Sequence, residues 1–307
     1  MTAIAGPLLS ATINGVTYGA TLFLVAVGLS LIFGVLRVLN VAHGSFYALG
    51  AFTAASAWLL ISALGWPPLC IYPALVISAL VVGVAVGPVV ERGLLRWTFG
   101  IEAEAARENA QLLATYAIFL MLEDAQKLIW GGQPYYSGSA LRLLGITRIN
   151  GIPYTNYQLL LILVAVLVLI ALRILLRGTK MGKFVLAVAE DPEVSSAMGI
   201  PVARIYTVAF TVGAILAALG GALASPTIGV NTGIGSEMIV LSFAVVAIAG
   251  LGQIEGAAVA ALVIGVGHSI AVFFFPALSS VIPYATMLLV LVFKPYGLFA
   301  AAQVRRI

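Results

Sequence analysis

The chain has 307 residues, of which 62% are hydrophobic and 8% are charged, and its net charge is +4. A soluble domain carries about 25% charged residues, so this composition excludes a soluble protein and predicts an integral membrane protein. The single cysteine, Cys70, excludes an internal disulfide and a cysteine metal cluster, and the modest positive charge predicts no nucleic-acid partner. At about 20 residues for each span, the chain holds eight or nine helices in one domain, residues 1–307, surrounded by membrane lipid.

Nine apolar runs follow one another along the chain, and none shows the alternation of a membrane-spanning strand. Because every backbone polar group must be paired inside lipid, long apolar runs of this kind predict helices. The predicted fold class is therefore all-α, a polytopic transmembrane helix bundle of about eight or nine spans. The runs cover residues 9–34, 43–64, 70–90, 110–130, 156–174, 204–224, 236–250, 256–275 and 279–297. The run 236–250 is short for a full crossing.

The basic residues predict the orientation of these spans. If the segment 173–204 faces the cytoplasm, alternation places twelve of the fifteen Lys and Arg residues inside, among them Arg305 and Arg306 of the C-terminal tail. Cytoplasmic loops of membrane proteins carry an excess of Lys and Arg, so we expect a cytoplasmic C-terminus. The N-terminus is expected outside with nine spans and inside with eight.

A group of polar residues lies between the first two spans, in the string GVLRVLNVAHGSFYALGAF of residues 34–52. Polar residues at membrane depth are expensive and mark transport paths, so these are candidate substrate-pathway residues. They are Asn40, His43, Gly44 and Ser45. The three glycines of the string favour a broken or re-entrant helix whose backbone groups could face a solute. The alternative is a plain cytoplasmic turn in which Asn40 caps the second span.

Two connecting segments carry weaker signals. Segment 131–156 is rich in glycine, proline and tyrosine, which predicts an ordered external loop with a short hairpin. Segment 91–108 mixes acids and bases at helical spacing, which predicts a solvated extension of two spans, with partner contact as the alternative. Near the end of the fourth span, Glu123 and Asp124 are expected to form ion pairs with Lys127, one turn away, and not a proton relay.

Two late spans carry a small residue at every fourth position. Such stripes let helix backbones approach closely, so they predict helix–helix interfaces in a compact bundle. The stripes are Gly213, Ala217, Gly221 and Ser225, and then Ala257, Ala261, Gly265 and Ser269. We interpret His268, beside the second stripe, as a packed histidine that is hydrogen-bonded within the bundle.

The segment 173–204 gathers charge more densely than the rest of the chain. Within it, Asp191 is predicted to cap a helix that begins at Pro192, with Glu193 near the positive end of the helix dipole. Gly199 is predicted to end this helix, which has about seven residues and is too short to be stable alone in water. A short, capped helix between two spans predicts an element that docks on another protein. The alternative is a connecting turn with solvated charges.

Few residues of the chain could catalyse a reaction. The sequence offers no paired carboxylates, no nucleophile–base set and no metal-ligand cluster, and no acid lies near His43 and Ser45 to complete a protease triad. The glycine-rich string AIAGLGQIEGAA, residues 247–258, lacks the G-x-x-x-x-G-K-[ST] pattern of a phosphate loop. We therefore predict no enzymatic activity, no ATP hydrolysis by this chain, no cofactor and no metal.

Several strings in chain order resemble one family. GVLRVLNVAHGSFYALGAF, MLEDAQKLIWGG, AVAEDPEVSSAMGI, AIAGLGQIEGAA and FKPYGLF are similar to the membrane permease subunit of branched-chain amino-acid ABC importers, the LivH type of the LivH/LivM family. The resemblance covers nearly the whole chain, and LNVAHG is its most specific part. The chain departs from the family at residues 249–253, AGLGQ, where a GGLGS-like string is usual. Relatives of this permease type carry urea, short amides or other amino acids.

The resemblance implies a multi-subunit importer in the inner (plasma) membrane of a bacterial-type cell. This subunit would pair with a second permease subunit similar to LivM, with two cytoplasmic ATPase subunits and with an external solute-binding protein. The ATPase-contacting loop of the family covers about residues 175–203. Its contact positions map onto Glu190, Asp191, Ala197 and Gly199, and the predicted helix adds Glu193, Val194 and Met198 as candidate coupling residues. Val194 and Met198, four residues apart, are expected to form its apolar edge.

The expected function is the passage of branched-chain or related small amino acids, or similar small polar solutes, into the cytoplasm. ATP hydrolysis in separate subunits would drive it. The alternative is a self-sufficient secondary transporter or channel for a small polar solute. A coupled carrier normally needs membrane-embedded charges for its ion, and the spans of this chain hold almost none.

Overall fold

The computed structural model describes residues 2–136, 138–149 and 152–299, so Arg305 and Arg306 of the C-terminal tail lie outside the described residues. The described chain forms α-helices joined by short connections. They are α1 (Thr2–Leu36), α2 (His43–Ala63), α3 (Ile71–Val90), α4 (Arg96–Thr98), α5 (Glu104–Trp130), α6 (Asn156–Gly178), α7 (Lys180–Glu190), α8 (Pro192–Ala197), α9 (Val202–Ala224), α10 (Ile234–Ala249), α11 (Ile254–Phe274) and α12 (Ile282–Phe293). Short 3₁₀ turns at Pro68–Cys70, Gly138–Arg142 and Pro276–Leu278 and a π-helix at Glu91–Leu95 complete the helical part.

Each of the nine predicted spans corresponds to one of these helices, which confirms the predicted fold class. Within the described residues, six helices are long and apolar enough to cross a membrane, and α10 and α12 are shorter apolar helices. The run predicted at 236–250 is indeed short, because α10 has 16 residues. The remaining predicted span is the long helix α5, whose ends carry charged residues.

Helices α1 and α9 form the centre of the bundle. The most apolar window of α1 is 83% buried and that of α9 is 72% buried, whereas that of α6 is only 22% buried. Helix α1 packs against α11 and α9, and α9 packs against α3 and α2. The large exposed side chains of α6, such as Leu163 and Leu167, form its outer face. This contrast is typical of a membrane bundle in which α6 faces lipid.

The stripes of small residues lie at helix interfaces, as predicted. Ala217 and Ala261 are completely buried. A Cβ atom added at Gly221 would clash with the carbonyl oxygen of Tyr47 in α2, and one added at Gly265 would clash with the backbone of α1. Because lipid supplies no hydrophobic drive between helices, this close backbone contact is what holds α9 and α11 on their neighbours.

The segment between α5 and α6 contains the predicted hairpin. Strands β1 (Ile146–Ile149) and β2 (Ile152–Thr155) pair in antiparallel fashion, with Ile146 opposite Thr155. Tyr135 of the same segment forms a bridge to Val230, in the connection between α9 and α10. The hairpin segment is therefore ordered and attached to the bundle.

Two further predictions about single residues are confirmed. His268 Nδ1 lies 3.0 Å from the carbonyl oxygen of Ser279, and its ring stacks on Tyr18 at a centroid distance of 4.7 Å. Lys127 Nζ forms ion pairs with Glu123 at 3.2 Å and with Asp124 at 3.4 Å. These groups stabilise local structure at the positions where the sequence placed them.

Candidate coupling and substrate-path sites

Helix α7 begins with a tight reversal at the end of α6. The hydroxyl oxygen of Thr179 accepts a hydrogen bond from the backbone N–H of Gly182 at 3.0 Å and so caps α7. A Cβ at Gly182 would clash with the backbone of Leu175 and Leu176, so glycine is needed for α7 to lie against the end of α6. The charges of this segment obscure its apolar face, so α7 cannot be predicted as a separate helix from the sequence alone.

Helix α8 has the caps that the sequence predicted. Asp191 Oδ1 accepts hydrogen bonds from the N–H groups of Glu193 at 2.9 Å and Val194 at 3.0 Å. At the other end, Gly199 has a φ of +82°, the left-handed conformation that favours glycine. Its N–H bonds to the Ser196 carbonyl, and the N–H of the following residue bonds to the Ser195 carbonyl, which together form a Schellman motif.

The predicted coupling residues surround an outward-facing helix tip. Val194 is 55% exposed and Met198 is 77% exposed, whereas Ser195 on the opposite side is buried. The other candidates, Glu190, Asp191, Glu193, Ala197 and Gly199, are exposed as well. Two neighbouring apolar side chains on a short, fully capped helix leave an apolar edge that nothing in the described chain covers.

Arg37 connects this helix region to the segment that follows α1. It has a φ of +55°, the only positive φ of a non-glycine residue in the described chain. Its guanidinium donates to the carbonyl oxygen of Ala189 in the last turn of α7, at 3.5 Å. A cation at the C-terminal end of a helix is favourable because unpaired carbonyl groups point there. The left-handed backbone of Arg37 therefore turns the chain while its side chain holds α7.

The segment 34–50 is a broken helix. Helix α1 ends at Leu36 and α2 begins at His43, and the Nε2–H of His43 donates to the carbonyl oxygen of Val25 at 2.9 Å. Val25 lies eleven residues before the end of α1, about 16 Å along its axis at 1.5 Å for each residue. The chain thus runs back along α1 before α2 starts inside the bundle. Ala42 is the N-cap of α2 and no side chain caps it, so the alternative in which Asn40 caps the second span is wrong.

The four predicted pathway residues lie close together at this break, enclosed by neighbouring helices. Asn40 is completely buried, and neither its oxygen nor its nitrogen has a hydrogen-bond partner within the described residues. Ser45 donates to the carbonyl oxygen of Phe119 in α5 at 3.3 Å. Gly44 lies against Gly235 of α10, where an added Cβ would clash. A role of these residues in a solute path stays a prediction.

Comparison with known proteins gives these features a context. The family described as "Branched-chain amino acid transport system / permease component" matches residues 11–291, which include the broken helix and α8. This chain belongs to that permease family.

Named relatives cover nearly the whole permease. It is 28% identical over 302 residues to the high-affinity branched-chain amino acid transport system permease protein BraD of Pseudomonas aeruginosa, covering 96% of each chain. It is 26% identical over 306 residues to the corresponding permease protein LivH of Escherichia coli, again covering 96% of each chain. A probable branched-chain amino acid transport permease protein LivH of Methanocaldococcus jannaschii is 26% identical, covering 93% of this chain and 90% of that protein.

One buried ionic group of the permease lies beside the start of α9. Glu91 is 1% exposed, and its Oε2 accepts from Thr207 Oγ1 at 2.6 Å and from Arg96 at 3.3 Å. The Arg96 guanidinium also donates to the carbonyl oxygen of Ala203 at 3.3 Å. The prediction that segment 91–108 is a solvated extension is therefore wrong for Glu91, because its side chain is buried and accepts a hydrogen bond from Thr207 of α9. The group fixes the end of α3 to the first turns of α9.

The permease also contains a polar cavity that the sequence analysis missed. Tyr18 of α1, Tyr47 of α2 and Glu237 at the start of α10 line a cavity of about 490 Å³. Tyr47 lies in the string of residues 34–52, two residues after Ser45, but a tyrosine in an apolar run gives no sign of the space that it lines. Glu237 lies at the start of the short run 236–250, and a single acid there does not by itself predict a cavity.

Proposed function

We propose that this chain is the membrane permease subunit of an ABC importer that passes branched-chain or related small amino acids, or similar small polar solutes, into the cytoplasm. ATP is hydrolysed in separate subunits. The observation that carries the proposal is α8, a six-residue helix with a complete cap at each end and an exposed apolar edge of Val194 and Met198. A helix this short is kept by its caps and by what it docks on, since it has too few turns to be stable alone.

The printed names of the relatives support the solute class. BraD and LivH are permease proteins of high-affinity branched-chain amino acid transport systems. We assign to this chain the same assembly: a second, LivM-like permease subunit, two cytoplasmic ATPase subunits and an external solute-binding protein. It lies in the inner membrane with its C-terminus in the cytoplasm.

In this proposal α8 sits in a cleft of an ATPase subunit, and its movement reaches the bundle by two routes. One route is covalent, because α9 begins at Val202, directly after α8, and α9 is a central helix. The Glu91 group holds the first turns of α9 against the end of α3, so a pull on α8 displaces both helices.

The second route passes through Arg37. Its contact with the carbonyl of Ala189 joins the end of α7 to the segment before α2. That segment carries Asn40, whose buried amide has no hydrogen-bond partner within the described residues. A buried amide without a partner costs about 1–3 kcal/mol and gains a partner when the segment shifts or a solute arrives. We assign Asn40, His43, Gly44 and Ser45 to the solute path on this ground.

Reconstitution tests the proposal. The permease is placed in proteoliposomes with its ATPase and second permease subunits, and binding-protein-dependent leucine uptake is measured with and without internal ATP. We expect uptake only with ATP and with the ATPase subunits. Sustained accumulation of leucine by the permease without ATPase subunits, driven by an ion gradient, would mean a secondary carrier and would overturn the proposal.

A variant of α8 sharpens the same assay. Val194→Asp places a charge on the apolar edge, so co-purification of the ATPase, stimulated ATP hydrolysis and uptake should fall together. Val194→Ile keeps the edge apolar and serves as the matched control, with wild-type behaviour expected. External solute binding lies far from this edge and should be unchanged in both variants.

A further inference from the structure

Two helices of this bundle, α2 and α10, begin side by side. Helix α2 starts at His43 beside the middle of α1, and α10 starts at Ile234 after the connection from α9. The starts touch at Gly44 and Gly235, and Ile239 and Ala48, one turn further along each helix, lie against the same contact. Helix starts carry unpaired N–H groups and a partial positive charge.

The cavity of about 490 Å³ lies at the start of α10. Gly233 precedes this helix with a φ of +100°, and the backbone N–H of Ile234 makes no hydrogen bond within the described residues. Because helix starts are common, this feature alone does not indicate a ligand site. Two side chains that line the cavity provide independent evidence for one.

The first is Tyr47, which is 1% exposed and lines the cavity. Its hydroxyl makes no hydrogen bond to any described residue, whereas the other tyrosine that is as deeply buried, Tyr157, donates its hydroxyl to the carbonyl of Leu223 at 2.7 Å. A tyrosine buried this deeply normally has a partner for its hydroxyl, so the cavity that Tyr47 lines is where the hydroxyl finds one.

The second is Glu237, which lines the same cavity and forms no ion pair within the described residues. Glu237 is exposed, so its carboxylate is accessible to a cationic group that enters the cavity. Tyr18, whose ring stacks on His268, forms another wall. The wall between these polar groups is apolar and consists of Ile228, Met238 and Leu241.

We infer that this cavity binds a branched-chain α-amino acid as a zwitterion, which rests on the proposed function and gives it a solute site. The ammonium group is bound by the Glu237 carboxylate and the Tyr47 hydroxyl. The carboxylate of the solute meets the N–H of Ile234 and the amide of Asn231, an exposed residue on the same cavity. The aliphatic side chain lies on the apolar wall.

The chemistry of the cavity favours a zwitterion over the simpler ions. Glu237 gives the cavity a negative charge, which repels an aliphatic carboxylate that has no ammonium group. An aliphatic amine has no carboxylate that could accept hydrogen bonds from the N–H groups at the start of α10. Only a solute with both charges satisfies both ends, and each charge-assisted hydrogen bond that is lost lowers affinity about tenfold or more.

Binding of tritiated leucine to the assembled permease in lipid nanodiscs, without the binding protein, tests the site directly. Scintillation proximity reports binding, and leucinamide and 4-methylpentanoate, which each lack one charge, serve as competitors. We expect leucine to compete at least about tenfold better than either analogue. Glu237→Gln should weaken leucine binding about tenfold but should improve the relative binding of 4-methylpentanoate, because the repelling charge is gone.

Matched variants separate ligand contact from loss of structure. Tyr47→Phe should weaken leucine binding, whereas Tyr157→Phe removes a hydroxyl used only within the fold and should lower stability without changing the ranking of the competitors. Glu102→Gln removes an exposed carboxylate far from the cavity and should bind leucine like wild type.

The outcomes distinguish the site from the function. Specific leucine binding with the expected ranking, in a complex that accumulates no leucine with ATP and binding protein, supports the site and overturns the importer. Normal ATP-driven uptake together with leucine binding that Glu237→Gln and Tyr47→Phe leave unchanged overturns the site and keeps the importer. Equal competition by 4-methylpentanoate and leucine in the wild type also overturns the site.

Discussion

The tip of α8 and the crossing of α2 with α10 are built by opposite means. Helix α8 is defined by residues within nine positions of one another, from the cap at Asp191 to the left-handed Gly199, and its apolar edge is exposed. The crossing joins Gly44 to Gly235, which are far apart in the chain, and the polar residues beside it on α2, His43 and Ser45, are buried. A coupling element must present itself to another protein, whereas a solute path must be shaped by the whole bundle.

The largest expected effect comes from placing larger side chains in the packed interior of the bundle. Ala217 and Ala261 are completely buried, so Ala217→Leu and Ala261→Leu should each lower the free energy of unfolding by about 1–3 kcal/mol through overpacking. Thermal unfolding of the purified protein in detergent measures it. The matched change Ala171→Leu, on the exposed face of α6, should be nearly neutral. Equal tolerance at all three positions would contradict the buried interface.

Changes at the tip should leave the bundle intact but break its coupling. Asp191→Ala removes a cap worth about 0.5–2 kcal/mol of helix stability. Gly199→Val should have a larger local effect, because a β-branched residue is strained at a φ of +82°. Binding-protein-stimulated ATP hydrolysis and uptake should fall together, with an unchanged Tm of the bundle. Wild-type stimulation of ATP hydrolysis in Gly199→Val would mean that residues 191–199 only connect α7 to α9.

At the break before α2, two neighbouring polar residues should behave differently. His43→Ala loses a hydrogen bond to Val25, so it should destabilise the fold by about 1 kcal/mol. Asn40→Ala loses no hydrogen bond seen in the described structure, so it should leave Tm nearly unchanged while uptake falls. Parallel measurement of Tm and of ATP-driven uptake separates the two. Normal uptake by Asn40→Ala would remove Asn40 from the solute path.

The smallest effect is expected at an exposed ion pair that belongs to neither region. Lys127 pairs with Glu123 and Asp124 on the surface of α5, and such pairs are screened by water and salt. Lys127→Ala should change neither the Tm nor the rate of uptake measurably. A loss of uptake with an unchanged Tm would show that the outer end of α5 takes part in transport. The permease would then have a functional region besides the tip of α8 and the crossing of α2 with α10.

The sequence by itself determined the features that depend on neighbouring residues. The nine apolar runs predicted the helices, because lipid forces any long apolar segment to pair its own backbone. The caps of α8 could also be predicted, because Asp191, Pro192 and Gly199 act on backbone groups within one or two turns of the chain. The paired strands after α5 and the surface pairs of Lys127 also involve residues close in the chain.

Only the tertiary structure decided the features that depend on distant partners. Glu91 lay among charged neighbours and looked solvated, but Thr207, more than a hundred positions away, makes it a buried acceptor. Tyr47 and Glu237 line one cavity because the starts of α2 and α10 touch at Gly44 and Gly235. Glycine in an apolar run carries no sign of which backbone it will approach. The cavity therefore follows from packing, which sets side chains of α1, α2 and α10 around one space.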